Sequence, residues 1–148
     1  MKHLILILLT ALCCTCCNAQ KDKETTTMKT TERFDVQYYK NIIKEKNTYE
    51  SATFAQYVER NGTETYVSFN EDGFVLQEIK PFTYEMIVKN YYKNCILKSK
   101  GKLLCHSSVK IGIWCEYDKQ GNLIKETDED KKFEKLRLKP INILRWLE

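Results

Sequence analysis

The stretch GIWCEYDKQGNLIKE, residues 112–126, carries the pattern that decides the fold. Aromatic and apolar residues come before the run from Asp118 to Gly121, and Leu123 begins a second apolar stretch after it. An Asp side chain opens a turn by bonding to the backbone just ahead, and Gly accepts the left-handed conformation that a side chain resists. We therefore expect a strand, a tight turn and a second strand.

The same unit occurs twice more in the chain. One copy, YVSFNEDGFVLQE, begins at Tyr66, and another, YYKNCILKSK, begins at Tyr91. The copy at Tyr91 carries Cys where the other two carry Gly, and we expect the Asn before it to take the left-handed position instead. A single hairpin cannot bury its own face, so the copies must stack or pack on another element. The expected repeat-turn residues are Gly73, Asn94, Cys95, Asp118 and Gly121.

A helix is predicted ahead of the repeats, at about residues 32–45. Phe34, Tyr38 and Ile42 are spaced four apart there, which is typical of one apolar stripe on a helix. Thr31 precedes the stripe and is the expected N-terminal cap.

Two further segments read as β structure and one as a helix. Asn61 and Gly62 form the strongest short signal for a hairpin turn. Phe82, Tyr84, Met86 and Val88 repeat with a period of two and predict a strand, although a helix starting after Pro81 is the alternative. The tail from Pro140 predicts a short helix. The fold class is therefore α+β: an antiparallel β-meander of hairpins with an N-terminal helix and a short C-terminal helix.

The first residues, MKHLILILLTALCCTCCNAQ, have the form of an export signal. The apolar run Leu4–Leu12 is too short to span a bilayer but suits the apolar core of a secretory signal. The ending CCNAQ resembles the junction of Gram-negative lipoproteins and assigns a lipid to Cys17, although Cys14 stands where Leu is usual. Simple cleavage after Ala19 is the alternative. The predicted organisation is a signal peptide at 1–16, a disordered tether at 17–31 and a single domain at 32–148.

Candidate catalytic and metal-binding residues are few. Cys105 and His106 are adjacent, so on a strand they would point to opposite faces, and only a loop would let them act as nucleophile and base. The paired spacing of a zinc site is absent from Cys95, Cys105 and Cys115, and we expect free thiols. The alternative is a disulfide between two of them, because export favours oxidation. Asp128–Asp130 lack the Gly and distal Glu of a calcium loop. We predict no enzyme, no cofactor and no metal.

The charge distribution argues against nucleic-acid binding. Lys and Arg number 24 against 20 acidic residues, for a net charge of +4, and both signs are mixed along the chain. A nucleic-acid-binding protein concentrates its basic residues on one face. We therefore expect no nucleic-acid partner, and no motif indicates a small-molecule substrate.

The region from 82 to 127 resembles a known family. YYKNCILKSKG followed by KIGIWCEYDKQGNLIKE resembles the MORN-type repeats of YwqK-type antitoxin proteins. The resemblance implies a MORN-like hairpin domain that binds a protein partner, namely a toxin or effector, and neutralises it as an immunity protein. With the signal, it implies a membrane-anchored lipoprotein in the periplasm or at the outer membrane, or alternatively a soluble secreted protein. The alternative function is a structural envelope lipoprotein whose repeats bind membrane or cell-wall partners.

Aromatic residues suggest where a partner would bind. If Ile113 and Tyr117 face the core, then Trp114 and Glu116 face away from it, because side chains alternate along a strand. We therefore predict a partner-binding surface that includes Tyr66, Trp114 and Glu116. In the alternative interpretation the terminal helices cover Trp114.

Overall fold

The computed structural model describes residues 28–47 and 52–135. The described chain forms one seven-stranded antiparallel sheet whose strands lie in chain order. The elements are α1 Val36–Lys46, β1 Phe54–Val58, β2 Glu64–Asn70, β3 Gly73–Ile79, β4 Glu85–Tyr92, β5 Leu97–Leu104, β6 Lys110–Tyr117, β7 Leu123–Asp128 and a 3₁₀ turn Glu129–Phe133.

The predicted antiparallel meander is confirmed, but the class is more β than α+β. One α-helix and a single 3₁₀ turn are the helical elements of the described residues. The predicted C-terminal helix at Pro140 lies outside these residues, as do the export signal and Cys17.

The sheet has two distinct ends. At the turn end lie the β2–β3, β4–β5 and β6–β7 connections, which are the three repeat turns. At the loop end lie the β1–β2, β3–β4 and β5–β6 connections, at residues 59–63, 80–84 and 105–109. Because every strand pairs with the next one in sequence, the three copies stand side by side with their turns at one end.

The repeat turns form through local chemistry. The Asp118 carboxylate accepts hydrogen bonds from the backbone N–H groups of Gln120 (2.9 Å) and Asn122 (2.8 Å), and Gly121 has φ +87°. In the copy with Cys, Cys95 itself is left-handed, with φ +66°. The expectation that Asn94 takes this conformation is wrong, because its side chain instead accepts a hydrogen bond from Ile96 N at 3.2 Å and supports the turn.

Gly73 is required for a different reason. It begins β3 with φ +152°, and a Cβ atom added there would lie 1.9 Å from the carbonyl oxygen of Tyr91. The backbones of β3 and β4 can approach this closely because position 73 has no side chain.

The helix begins four residues later than the sequence pattern predicts. Asp35 caps α1, because its carboxylate accepts a hydrogen bond from Tyr38 N at 2.9 Å. The expected cap, Thr31, lies outside the helix. Tyr38, which belongs to the predicted stripe, is exposed, whereas Ile43 is buried against the sheet.

Residues 28–34 form an extended segment, which we call the strap. It crosses the turn end and pairs with the residues at the start of β5 and β7. Phe34 N donates to Cys95 O at 2.9 Å and Thr30 N to Gly121 O at 2.8 Å, and Leu123 N donates to Met28 O at 2.8 Å. Residues 28–31, which we assigned to the disordered tether, are therefore hydrogen-bonded to the sheet.

The core lies on the face of the sheet covered by α1 and the strap, which we call the helix face. Phe34 is its centre, with ring centroids 4.5 Å from Phe74, 5.6 Å from Phe69 and 5.2 Å from Tyr91. Full burial of one such ring contributes roughly 2 to 3 kcal/mol. The strap is thus held by backbone hydrogen bonds and by apolar burial together.

Two β predictions are tested at the loop end. The hairpin turn at Asn61 and Gly62 is confirmed, and Gly62 has φ +84°. The strand expected from Phe82 begins only at Glu85, and the alternative of a helix after Pro81 is wrong. Phe82 is therefore a loop residue.

Candidate functional site

Exposed side chains gather at the loop end. We call the group Phe82, Tyr84, His106 and Val109 the loop-end surface. The Phe82 side chain is as exposed as in an extended peptide (102%), and Tyr84 and Val109 are more than one-third exposed. Single exposed apolar residues are ordinary, but several from adjacent loops at one end of a sheet are typical of an interaction site.

Two residues of this surface have a strained backbone. Phe82 has φ +59° and His106 has φ +58°. A bulky side chain in the left-handed region raises the free energy of the folded state by about 1 to 2 kcal/mol. Such conformations persist only where the surroundings enforce them, and they are concentrated at functional sites.

Hydrogen bonds between the loops hold this backbone in place. The Thr83 hydroxyl donates to Lys80 O at 2.9 Å and closes the turn that carries Phe82. Cys105 N donates to Tyr84 O at 2.8 Å and joins the β3–β4 loop to the β5–β6 loop. The surface is therefore preorganised, which lowers the entropy lost on binding.

Two small clefts adjoin the loop-end surface. One, of about 260 Å³, is lined by residues that include Pro81, Phe82 and His106. The other, of about 200 Å³, lies on the face opposite α1, and its lining includes Tyr66 and His106. Both are below the roughly 300 to 1,000 Å³ of sites that enclose small molecules. Their size suits single side chains of a protein partner.

The predicted partner-binding residues do not come together. Tyr66 is half-buried in the second cleft, on β2, whereas Trp114 and Glu116 lie on β6. Trp114 is 6% exposed, so it is not an exposed anchor. Ile113, which we expected in the core, is 50% exposed, while Tyr117 is buried as expected.

Trp114 is buried because a glycine on the neighbouring strand leaves room for its ring. A Cβ atom at Gly101 would lie 2.3 Å from the indole. The indole N–H donates to Lys102 O at 3.0 Å, and the Lys110 ammonium lies 4.2 Å from the ring centroid. These contacts occupy the aromatic face that a partner would otherwise use.

The thiol of Cys105, adjacent to His106, has a pKa shifted away from that of a nucleophilic cysteine. Both residues lie in a turn, but burial, followed by the negative charge of Glu64, raises the pKa of the Cys105 thiol. A nucleophilic cysteine requires the opposite shift, because the thiolate is the reactive form. Cys95 and Cys115 are also free, and in residues 28–47 and 52–135 no three His, Cys, Asp or Glu side chains are grouped to hold a metal.

The acidic run Asp128–Asp130, at the end of β7, takes part in hydrogen bonds and an ion pair that support the fold. Asp128 caps the 3₁₀ turn, and the Asp130 carboxylate accepts a hydrogen bond from Gly112 N at 2.9 Å. Glu129 is buried beside them and pairs with Lys132.

A cluster of polar side chains joins the strap to β4 and β5. The Glu32 carboxylate lies 2.9 Å from the Lys89 ammonium and 3.7 Å from that of Lys100, and it accepts a hydrogen bond from the Tyr91 hydroxyl at 3.0 Å. Burial by itself would raise the pKa of Glu32, but the bonds from Lys89 and Tyr91 outweigh it and lower the pKa. The ionised carboxylate therefore holds the strap against β4 and β5.

Comparison of the chain with protein-family models, with curated proteins and with solved structures finds no match. Within the described ranges, no helix has the length and apolar character to cross a membrane.

Sequence reasoning missed the loop-end surface. Phe82 and Tyr84 fitted the alternation of a strand, and a positive φ at Phe has no sequence signature. Pro81 was the available signal, because proline is frequent in turns.

Proposed function

We propose that the protein is a non-catalytic, exported immunity protein that neutralises a toxin by direct binding. In this proposal a lipid on Cys17 holds it at a membrane, and the loop-end surface binds the toxin. The observation that carries the proposal is Phe82, a large aromatic side chain that is fully exposed on a strained backbone.

Phe82 is difficult to explain by stability alone. Its ring is outside the core, so it contributes no apolar burial, and its left-handed φ destabilises the fold. A partner pocket that buries the ring would gain roughly 2 kcal/mol or more. Binding accounts for a residue that the isolated fold does not need.

The chemistry around Phe82 favours a folded protein as the partner. An apolar ring stands beside the Tyr84 hydroxyl and the His106 imidazole, and shallow clefts adjoin it. An apolar anchor within a polar rim is the usual composition of a protein-binding hot spot. The resemblance of residues 82–127 to YwqK-type antitoxins supports a toxin as this partner.

The position of the strap is compatible with a lipid anchor at Cys17. The strap leads from Met28 toward the N-terminus at the turn end, opposite to the loop-end surface. The residues between Cys17 and Met28 span at most about 40 Å when extended. An anchor at Cys17 and a toxin on Phe82 would therefore engage different ends of the molecule.

The test is capture of a toxin by the exported, processed protein, with candidate toxins co-expressed in the same cells. We expect the unmodified protein to be captured with the toxin and to protect the cells, and we expect Phe82→Asn to lose both effects. Ile124→Asn is the matched control, because Ile124 is also an exposed apolar residue (62%) but lies on β7.

Two results would contradict the proposal. One is equal loss of capture in the two variants, and the other is a deletion strain no more sensitive to competitors than its parent. Capture of membrane or cell-wall components without any toxin would favour the structural envelope lipoprotein. Replacing Cys17 by Ala tests the anchor separately, because membrane fractionation changes only if lipid is attached there.

A further inference from the structure

The two edges of the sheet are protected to different degrees. The β7 edge carries Lys125, Glu126 and Asp128, is bonded at one end by the strap and leads into the 3₁₀ turn. The β1 edge, Phe54–Val58 (FAQYV), is the one strand of the seven without a charged residue. Proteins normally protect an exposed edge with charges, proline or a covering segment, because its free backbone groups pair with another strand. β1 lacks the first two protections.

The backbone of β1 is oriented for pairing. Phe69 N donates to Thr53 O at 2.7 Å, so Thr53 and every second residue after it direct their backbone groups toward β2. Phe54, Gln56 and Val58 consequently direct N–H and C=O outward. Within the described part of the chain, the bond to this outer edge is the one from the Asn47 amide to Phe54 O, at 2.8 Å.

The side chains of the outward residues are also exposed. Phe54 is 51% and Val58 is 66% exposed, and both lie on the face opposite α1 with Gln56 between them. Tyr66 on β2 stacks beside Phe54 with ring centroids 6.3 Å apart, so the apolar surface extends from β1 onto β2.

The strand is complementary to itself. If two copies pair antiparallel about a two-fold axis at Gln56, each Phe54 lies opposite Val58 of the other copy, and Gln56 meets its own equivalent. Apolar cross-strand pairs stabilise such a ladder, and like charges directly opposite destabilise it. A charge at the axis would lie opposite its own copy, and a charge elsewhere on β1 would lie opposite an apolar or amide side chain, so the uncharged strand FAQYV is compatible with a second copy as the occupant.

The rest of the sheet favours closure at two copies. Pairing of β1 with β7 of another copy would be head-to-tail and would build a ring or an open filament. The strap and the charged residues on β7 oppose that arrangement. Self-pairing of β1 uses one edge of each copy and leaves no further β1 edge free.

We propose that the protein forms a two-fold dimer through β1, with one continuous sheet across both copies. The ladder is only five residues long. Stable complexes bury roughly 1,200 Å² or more, and so short a ladder forms a smaller interface. The dimer therefore dissociates on dilution. The loop ends of the two copies point in opposite directions. The segment from Cys17 to Met28 spans up to about 40 Å, which exceeds a strand length of about 25 Å. Lipids on the Cys17 residues of both copies can therefore lie in one membrane.

The proposal is tested by sedimentation of the processed protein over a range of concentrations under reducing conditions. We expect the dimer fraction to rise with concentration, and Gln56→Lys and Gln56→Glu each to be monomeric through like-charge repulsion at the axis. An equimolar mixture of these two variants should form dimers again. This recovery cannot come from misfolded protein, and the side chain of Gln56 is exposed, so the fold tolerates both changes.

Ile124→Lys is the matched control on the other edge strand, and we expect it to dimerise as the unmodified protein does. Phe82→Asn should also remain dimeric, which separates this proposal from toxin binding. A monomer at all concentrations, no recovery in the mixture, or equal loss of dimer in Ile124→Lys would each overturn it. If the protein is monomeric and Gln56→Lys abolishes partner capture, the edge binds a strand of the partner and self-pairing is wrong.

Discussion

Replacing Phe82 by Asn separates the stability of the fold from its binding. The ring is fully exposed, so its removal loses no apolar burial in the isolated protein. Asn tolerates the left-handed φ of +59° far better than Phe does. The variant should therefore be more stable than the unmodified protein and should bind its partner less well.

The size of the gain follows from the backbone. A left-handed conformation destabilises a non-Gly residue by about 1 to 2 kcal/mol, and Asn recovers part of this. We expect the free energy of unfolding to rise by about 0.5 to 1.5 kcal/mol. For a chain of this size the midpoint of thermal unfolding should rise by roughly 2 to 6 °C.

The assay is thermal and urea unfolding followed by circular dichroism. Phe82→Ala is the control, because Ala removes the ring but keeps the Cβ atom that causes the strain. It should leave stability within about 0.5 kcal/mol of the unmodified protein. A Phe82→Asn variant that is less stable than Phe82→Ala would refute the reasoning, since the backbone would then not be strained at this position.

Three further substitutions test the packing and the strap. Gly73→Ala should lower the free energy of unfolding by about 2 to 4 kcal/mol, because the new Cβ meets Tyr91 O at 1.9 Å; a loss below about 0.5 kcal/mol in urea unfolding would contradict this. Gly101→Ala should displace the Trp114 ring and shift indole fluorescence to longer wavelength, and unchanged emission would show that the ring does not lie on Gly101. The lowered pKa of Glu32 means that its stabilisation is present above the ordinary carboxyl pKa and is lost as the pH falls through the folded value. Glu32→Gln should therefore reduce stability at neutral pH and flatten its decline below about pH 4.5, and an unchanged pH profile would exclude this role.

Local chemistry made much of the sheet predictable. The turn at Gly121 and the hairpin at Gly62 follow from residues that are adjacent in sequence, so no distant contact is needed to specify them. The same reasoning identified three hairpin copies, and their antiparallel stacking follows because short connections join neighbouring strands. It also explains one error: Cys95 occupies the turn position of Gly, and the geometry of the turn, rather than residue preference, determines its φ.

The candidate site was less predictable, because it depends on elements that are distant in sequence. Burial of Trp114 requires Gly101 on the neighbouring strand, which alternation along β6 cannot reveal. The strap is polar and rich in Thr, and it is ordered because Phe34 enters an aromatic cluster from β2, β3 and β4.

The sequence by itself determined the hairpins, their turns and the antiparallel meander, because those features depend on side chains that bond within a few residues of one another. The tertiary structure decided that residues 28–34 bind across the turn end, that Trp114 is covered and that Phe82 is exposed. It also decided that β1 and β7 form the two edges of the sheet. Each of these depends on contacts between segments that are far apart in sequence, which the local pattern of residues does not specify.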